Sequence, residues 1–317
     1  MANTTIANMP AAVQRSMSYK LLAVPVPRMI HKLAATPKVM PRNGGTSLTM
    51  RRWSPLDTAM APLGIDGMAP PPQNAEVVDI TATMSFYGTF VRVVEQVVLQ
   101  SQDPVLNEYA ARLGVSMRQT EDQLSRDCLA SSASFINCVG GVNGDFPSNP
   151  ERTDFNKVIR MLADNNALTL LDEIDGADKF GSAPIRESYF AMCSTNLMGN
   201  LDRVAGFVHK SQYPEASKIP SEYGSIAELR FLMSSIGSKA LERSALGNTI
   251  YNILVTGMDA YACITQDAYS ASFLYRPPMV CSPLGLFCEL GYKFAEVPVI
   301  TNDLWVVVAK CTLLENQ

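Results

Sequence analysis

The stretch from residue 43 to residue 98 most constrains the fold, because it contains two strand-like segments separated by a long loop. Over residues 76–87, apolar side chains alternate with polar ones, which is the period of a β-strand. A shorter alternating segment covers residues 46–53 and follows an Asn-Gly-Gly turn. The sequence therefore predicts two paired strands, with residues 54–75 as the loop between them.

The loop at residues 54–75 is too apolar for a flexible linker, although it holds five prolines and two glycines. Loops beyond about 12–15 residues without structure of their own are usually functional or disordered. A two-stranded arm is only marginally stable alone in water, so we expect another subunit to cover it. The alternative is a β-hairpin folded back on its own core. The predicted inter-subunit contacts are Arg51, Arg52, Trp53, Leu56, Met60, Leu63, Ile65 and Met68.

Charge is distributed unevenly along the chain. Residues 1–56 contain eight Lys and Arg and no Asp or Glu, whereas the remaining chain carries 18 Lys and Arg against 30 Asp and Glu. Before the first strand, the basic arm consists of Arg15, Lys20, Arg28, Lys32, Lys38 and Arg42. Frequent prolines predict an extended arm, with a disordered tail as the alternative. Such an arm can bind nucleic acid or the acidic surface of a neighbouring copy.

The composition is that of a globular protein, with 47% hydrophobic residues among 317. No apolar run approaches the roughly 18–20 residues of a membrane span. Prolines interrupt the apolar stretch at residues 21–30, so no signal peptide is expected. The seven cysteines are scattered and form no C-x-x-C pair, which predicts reduced thiols in a protein made in a cytosol.

The rest of the chain mixes helical and strand patterns. A long helix is predicted from Asp103-Pro104 to about Cys138, and a second from residue 154 to residue 174. Further strands are predicted at 189–193, 227–233, 261–265, 290–294, 297–300 and 304–312, with a helix at 197–208 and an apolar segment of open type at 250–255. The valine-rich run at 305–309 predicts a strand buried on both faces.

The usual catalytic and ligand-binding motifs are missing from the sequence. It has no Gly-x-Gly-x-x-Gly, no phosphate-binding loop, no Gly-x-Ser-x-Gly and only two histidines. The acidic run at 172–176 fails as a calcium loop, because its first and twelfth positions would be Leu171 and Ser182. We therefore predict no catalytic residue, metal or cofactor. A soluble enzyme with Cys193 or His209 at its active site is the alternative from another class.

Several short sequences occur in an order that resembles a known family. They are Tyr87-Gly88, Glu222-Tyr223-Gly224-Ser225-Ile226 with Arg230-Phe231, Ser282-Pro283-Leu284-Gly285, and Gly291-Tyr292-Lys293. Their order resembles that of the major capsid (coat) protein family of tailed bacteriophages, in its short-tailed phage branch. Three positions depart from the family pattern: Ser221 replaces a glycine, Tyr223 replaces an isoleucine, and Ser282 stands where aspartate is common.

The resemblance covers nearly the whole chain and implies the α+β fold of tailed-phage major capsid proteins. That fold has an N-terminal arm, an extended two-stranded loop, a long spine helix with a peripheral β-sheet, and a central mixed α/β domain. The implied boundaries are 1–43 for the arm, 44–88 for the loop, 89–179 for the peripheral domain with the spine helix at about 103–139, 180–282 for the central domain, and 283–317 for return strands of the peripheral domain.

The resemblance also implies a function. The chain would be a structural subunit whose pentamers and hexamers form an icosahedral shell around double-stranded phage DNA, bound non-specifically at the inner face. No long acidic helical segment precedes the arm, so a separate scaffolding protein is implied, with a portal and a possible decoration protein. The shell would assemble in the host bacterial cytoplasm, without a membrane, and remain in the virion. A bacterial nanocompartment shell protein of the same fold is the alternative.

Overall fold

The computed structural model describes residues 26–58, 72–100, 104–138, 146–171, 187–212, 219, 221–244, 247–267, 272–278 and 284–313. Several predicted features lie outside these residues. They are Arg15, Lys20, Met60, Leu63, Ile65, Met68, Cys281 and the acidic run at 172–176.

Fifteen strands and four α-helices make up the described residues. The strands are β1 Thr36–Met40, β2 Ser47–Trp53, β3 Val77–Thr83, β4 Phe86–Val94, β5 Phe135–Asn137, β6 Tyr189–Ser194, β7 Phe207–His209, β8 Glu222–Ile226, β9 Leu229–Ser234, β10 Lys239–Arg243, β11 Thr249–Thr256, β12 Tyr261–Gln266, β13 Ser272–Arg276, β14 Phe287–Ile300 and β15 Val306–Cys311. The helices are α1 Glu95–Gln100, α2 Val105–Ala130, α3 Arg152–Asp164 and α4 Met198–Asp202. Short 3-10 turns cover Thr195–Leu197, Lys210–Gln212 and Asp303–Trp305.

A five-stranded sheet is built around β14, in the order β1-β12-β14-β13, with β4 also paired to β14. Residues 287–295 of β14 pair with β4, residues 289–293 with β13, and residues 296–300 with β12. The long helix α2 packs on one face of this sheet. Their shared core contains Leu113 of the helix and Leu290, Tyr292 and Phe294 of the strand, which are all buried.

An eight-stranded sheet forms the second half of the molecule, in the order β5-β15-β11-β6-β9-β8-β7, with β10 paired to β11. Both faces of its central strands β15, β11, β6 and β9 are buried. On one face, α3 packs through Phe155 and Val158 onto Phe231. On the other face, Leu254 and Val308 belong to a second core. The predicted burial of the valine-rich strand on both faces is therefore confirmed, because β15 lies between β5 and β11 and residues 306–309 are buried.

The long helix is shorter than predicted, since it ends at Ala130 instead of near Cys138. The serines that follow satisfy backbone carbonyls with their hydroxyls: Ser131 Oγ donates to the Cys128 carbonyl at 2.7 Å, and Ser132 Oγ to the Val306 carbonyl at 3.4 Å. Such bonds offer the backbone an alternative to the helix. The chain then forms β5, which pairs in parallel with β15.

Two other helix predictions were too long. The helix predicted at 154–174 is α3, which ends at Asp164, because Asn166 adopts a left-handed φ of 52°. The helix predicted at 197–208 contains only the short α4. Gly206, with φ 86°, turns the chain there into strand β7.

The predicted strands are present, with several differences in extent. Residues 304 and 305, for example, lie in a 3-10 turn before β15. The alternating segment at 76–87 divides into β3 and β4, because the chain changes partner between them: Met84 N–H donates to the Thr46 carbonyl, whereas the Ser85 carbonyl accepts from Glu296. Conversely, the segments at 290–294 and 297–300 form the single strand β14. The ambiguous segment at 250–255 lies within strand β11.

Both sheets contain strands from more than one of the predicted domains. The predicted domain boundaries stay predictions. Strands β12 and β13, placed by sequence in the central domain, pair with β14 in the five-stranded sheet. Strand β15, placed with the peripheral return strands, belongs to the eight-stranded sheet. No helix among the described residues is long and apolar enough to cross a membrane.

Candidate inter-subunit surface

The two-stranded loop consists of β2 and β3, paired antiparallel from Ser47↔Thr83 to Trp53↔Val77. Only its base is packed on the body. There, Leu48 and Met50 lie against a small buried cluster of Met40, Ala82 and Ile264. The predicted extended loop is therefore confirmed for its described strands, with the apolar row covered at the base alone.

Away from the base, the apolar side chains of this loop are exposed. Trp53 is 63% exposed and Leu56 is 59% exposed, and Val77 and Val78 on the returning strand are also open to solvent. Trp53 and Val77 pair across the two strands and share one face, whereas Val78 is on the opposite face. Exposed large apolar side chains grouped on a surface are typical of an interaction site. The structure therefore places the two described members of the predicted apolar contact set where a partner can reach them.

The predicted contact Arg51 already has a carboxylate partner in its own chain. Its Nε donates to Asp79 Oδ1 at 2.8 Å and its second amino group to Asp79 Oδ2 at 3.1 Å, across the β2–β3 pair. These hydrogen bonds raise the pKa of Arg51 and lower the pKa of Asp79. Arg52, on the opposite face of the strand, is exposed. That Arg51 and Arg52 contact a second subunit stays a prediction.

The five-stranded sheet has a second exposed apolar area on the face opposite α2. We call it the outer sheet face and define it by Phe86, Phe90 and Val94 of β4 and Leu274 of β13. All four side chains are exposed, Phe90 to 63%. Their register neighbours on β14 are on the same face, since Phe90 pairs with Gly291 and Leu274 pairs with Gly291 from the other side.

A shallow groove of about 340 Å³ runs across the outer sheet face. Gly88 and Gly291 lie in the floor of the groove, so no side chains fill it at these two positions. A Cβ on Gly291 would approach the Phe90 Cβ to 2.9 Å. Arg92 borders the same face and pairs with Glu289 at 2.7 Å. The groove therefore combines an apolar floor with a charged rim, which is the usual make-up of a protein–protein contact.

The basic arm pairs with the body of its own chain at two described positions, Lys32 and Arg42. Lys32 Nζ lies 3.0 Å from Glu121 Oε2 and 2.8 Å from Glu296 Oε2. Arg42 lies 3.8 Å from Asp267, with both side chains largely exposed. Arg28 and Lys38 are exposed. The charge of Lys32 is thus satisfied without a neighbouring copy, whereas Arg28 and Lys38 are accessible to a partner.

The two residues considered for an enzyme active site, Cys193 and His209, lie in different environments, one buried and one exposed. Cys193 is fully buried, its sulfur lies 3.2 Å from Met233 Sδ, and burial raises its pKa, which opposes formation of a nucleophilic thiolate. His209 is exposed, with its Nδ1 2.9 Å from Ser211 Oγ. Six cysteines in the described part of the chain are free thiols. Within the described residues, no group of three or more His, Cys, Asp or Glu side chains could hold a metal ion.

Sequence reasoning missed the outer sheet face and found only the loop. The short apolar stretch after Tyr87-Gly88 was visible, but it carried no information on which face the helix α2 covers. A signal was present in Phe86, Phe90 and Val94, which fall on the same side of a strand with Gly88 between them. The second strand of that face, β13, had not been predicted at all.

Solved capsid structures of several phages contain a chain with this fold. The match to a chain of the "Acidic stable capsid structure of Helicobacter pylori bacteriophage KHP30" has a TM-score of 0.68 at 11% identity and covers 99% of each chain. A chain in the "Capsid of Ralstonia phage GP4" matches with a TM-score of 0.67 at 12% identity, covering 98% of both. The "Capsid structure of the Cyanophage P-SCSP1u" matches with a TM-score of 0.65 at 11% identity, covering 98% of this chain and 99% of that one.

No family model matches the sequence, and no curated protein matches it. The likeness to the solved structures thus lies in the fold, at 11–12% identity for these three. It extends over almost the full length of each chain, so the predicted α+β capsid fold is confirmed.

Proposed function

We propose that this chain is a major capsid protein of a tailed bacteriophage, with a structural and not a catalytic role. Its copies form pentamers and hexamers that close into an icosahedral shell around double-stranded DNA. The observation that carries this proposal is the match of the fold to phage capsid chains over almost the whole of both chains. The buried Cys193 and the missing catalytic constellation among the described residues support the structural role.

The exposed surfaces support assembly. The outer half of the two-stranded loop and the outer sheet face both carry large apolar side chains without cover in the described part of the chain. We propose that the loop of one subunit packs on the outer sheet face of its neighbour. That contact would bury Trp53 and Leu56 of the loop against Phe90 and Leu274 of the sheet, at roughly 25 cal/mol for each Å² of apolar area removed from water.

The remaining partners follow from the same role. A scaffolding protein directs closure of the shell, a portal occupies one vertex, and a decoration protein can bind outside. DNA meets the inner face without sequence preference. Assembly takes place in the cytoplasm of the host bacterium, and the protein ends in the virion.

Electron microscopy of the purified protein tests the proposal directly. We expect shells, sheets or tubes made of capsomers, either from the protein alone or after a scaffolding protein is added. Particles purified from infected cells should contain double-stranded DNA. A strictly monomeric protein at all protein and salt concentrations, with scaffold present, would contradict the proposal, and shells filled with protein cargo would favour the nanocompartment alternative.

The double substitution Arg51→Ala, Arg52→Ala should weaken empty shells and leave the DNA affinity of free subunits unchanged. The expected reason is that the loop extends from the shell wall toward a neighbour, whereas DNA fills the interior. Salt should weaken wild-type empty shells more than mutant shells, since only the wild type retains these charges to be screened. The measurement is the denaturant concentration that disrupts empty shells at low and high salt.

The matched control for this variant is Asp79→Ala, which removes the partner that Arg51 has in its own chain. If Arg51 acts only within the loop, Asp79→Ala and Arg51→Ala should weaken shells equally, and Arg52→Ala should have no effect. Weakening that appears only in DNA-filled particles would instead assign these arginines to the nucleic acid.

A further inference from the structure

Residues 26–40 cross from one sheet of the molecule to the other. At the beginning of this segment, the Ser234 hydroxyl of β9 donates to the Arg28 carbonyl. Ile30 and Ala34 are then buried in the core on the eight-stranded sheet. At its end, the segment forms β1, which pairs in parallel with β12 of the five-stranded sheet. One short stretch of chain is thus anchored on both sheets.

The middle of this segment is held by a buried polar cluster around His31. The backbone N–H of His31 donates to Asp122 Oδ1 at 2.7 Å, and His31 Nδ1 lies 2.7 Å from Asp122 Oδ2. The Tyr261 hydroxyl of β12 donates to the His31 carbonyl oxygen. His31 and Asp122 are 0% and 1% exposed, so the Asp122 carboxylate is removed from water and hydrogen-bonds to His31 instead.

Two further contacts extend the cluster. Lys32 bridges Glu121 of α2 and Glu296 of β14, and Thr36 Oγ1 donates to Asp259 Oδ1 at 2.6 Å. Burial alone would lower the pKa of Lys32, but its hydrogen bonds and charge interactions with Glu296 and Glu121 raise it, so the ammonium form is favoured. The segment is therefore bound to helix α2 and to strands β12 and β14 of the five-stranded sheet.

The two sheets also meet in the buried core that holds Ile30 and Ala34, where Tyr261 and Cys263 of β12 pack with strands of the eight-stranded sheet. The chain passes between them in short links, from β11 to β12 through residues 257–260 and from β14 to β15 through residues 301–305. Short links at one place act as a hinge, since a few loop residues can absorb a change in angle. A segment bound on both sides of the hinge restrains that angle.

We propose that residues 26–40 form a strap that sets the angle between the two sheets, with the His31–Asp122 pair as its latch. Breaking the latch removes the buried contact between the strap and α2. The sheets are then joined by their short links, by the Lys32 ion pairs and by the rest of the shared core. The consequence for a shell rests on the proposed function: a fixed angle between sheets gives every subunit the same shape, and a loosened angle gives shells of mixed diameter.

Distance measurement between two spin labels tests the strap in free subunits. The labels are placed at Leu241→Cys of β10 and Lys293→Cys of β14, two exposed positions on different sheets. Cys281 is replaced by serine. The other native thiols react slowly at neutral pH, because burial raises the pKa of Cys128 to about 11 and of Cys263 to about 12, and Cys138, Cys193, Cys288 and Cys311 are buried.

The parent protein should give one narrow distance distribution, and Asp122→Ala should broaden it or shift its mean. Asp79→Ala, the same change at an exposed carboxylate on the two-stranded loop, should leave the distribution unchanged. If Asp122→Ala fails to fold, the double variant Tyr261→Phe, Lys32→Met replaces it, because both substitutions nearly preserve side-chain size. This double variant should also broaden the distance distribution or shift its mean.

The strap proposal is wrong if the distance distributions of Asp122→Ala and of the double variant superimpose on that of the parent protein. This readout needs no assembly, so it is separate from the proposed function. If wild-type subunits form no shells but the labels respond as expected, the strap stands and the capsid role fails. If shells form but the label distances do not change, the capsid role stands and the strap proposal fails.

Discussion

Replacing residues 55–75 of the two-stranded loop with Asn-Gly abolishes shell assembly and leaves the subunit folded. Ser54 and Glu76 face each other, with Ser54 N–H donating to the Glu76 carbonyl at 2.8 Å, so a two-residue turn closes the shortened hairpin in register. Among the described residues, the loop packs on the body at its base, through Leu48 and Met50. The shortened protein therefore keeps the packing of both sheets and loses Leu56 and the rest of the apolar tip.

Circular dichroism and thermal unfolding of the shortened subunit should resemble those of the wild type, while electron microscopy shows no shells. The control is a Gly/Ser segment of equal length in place of residues 55–75, which keeps the reach of the loop and removes its apolar side chains. We expect this control to fail in assembly as well. If the shortened subunit unfolds, the loop belongs to the core of its own subunit and the proposed inter-subunit contact is wrong.

Arg230→Met destabilises the subunit by about 3–5 kcal/mol, the usual cost of removing one partner from a buried ion pair. Arg230 of β9 and Glu222 of β8 are 1% and 0% exposed, and Arg230 Nε lies 3.3 Å from Glu222 Oε1. Glu222 Oε2 also accepts from the backbone N–H of Ile219 at 3.2 Å. Without the guanidinium, the carboxylate of Glu222 stays buried and loses the opposite charge that Arg230 supplies.

Urea unfolding of the single and double variants measures this effect. Glu222→Gln combined with Arg230→Met should recover most of the loss, because neither charge is then buried alone. The matched control is Arg92→Met, which breaks the exposed pair with Glu289 and should cost less than about 1 kcal/mol. Equal losses for Arg230→Met and Arg92→Met would show that burial does not govern the strength of these pairs.

The candidate surface could be predicted in part. The apolar loop around Trp53 and Leu56 was visible in the sequence, because its prolines exclude regular structure while its side chains are too apolar for solvent. The outer sheet face could not be recognised, since exposure of Phe90 depends on which face α2 covers. Likewise, the salt bridge between Arg51 and Asp79 follows from the β2–β3 register, which places them opposite each other.

Local sequence patterns determined the type of most elements. Alternation predicted β2 and β3, and the valine-rich run predicted the buried strand β15, because both patterns reflect the burial of side chains on one or two faces of a strand. The short motif around Glu222 and Arg230 indicated the fold through its resemblance to a family. Ser221, which stands where the family pattern has glycine, adopts a left-handed backbone with φ 70°.

Tertiary structure alone decided where elements end and which distant residues meet. The spine helix stops at Ala130 because β5 pairs with β15. The predicted strand at 76–87 divides because its last two residues, Phe86 and Tyr87, pair with β14. The pair of His31 and Asp122 joins positions 91 residues apart. Pairing of this kind depends on the three-dimensional arrangement of the sheets, which hydrophobic periodicity along the chain does not encode.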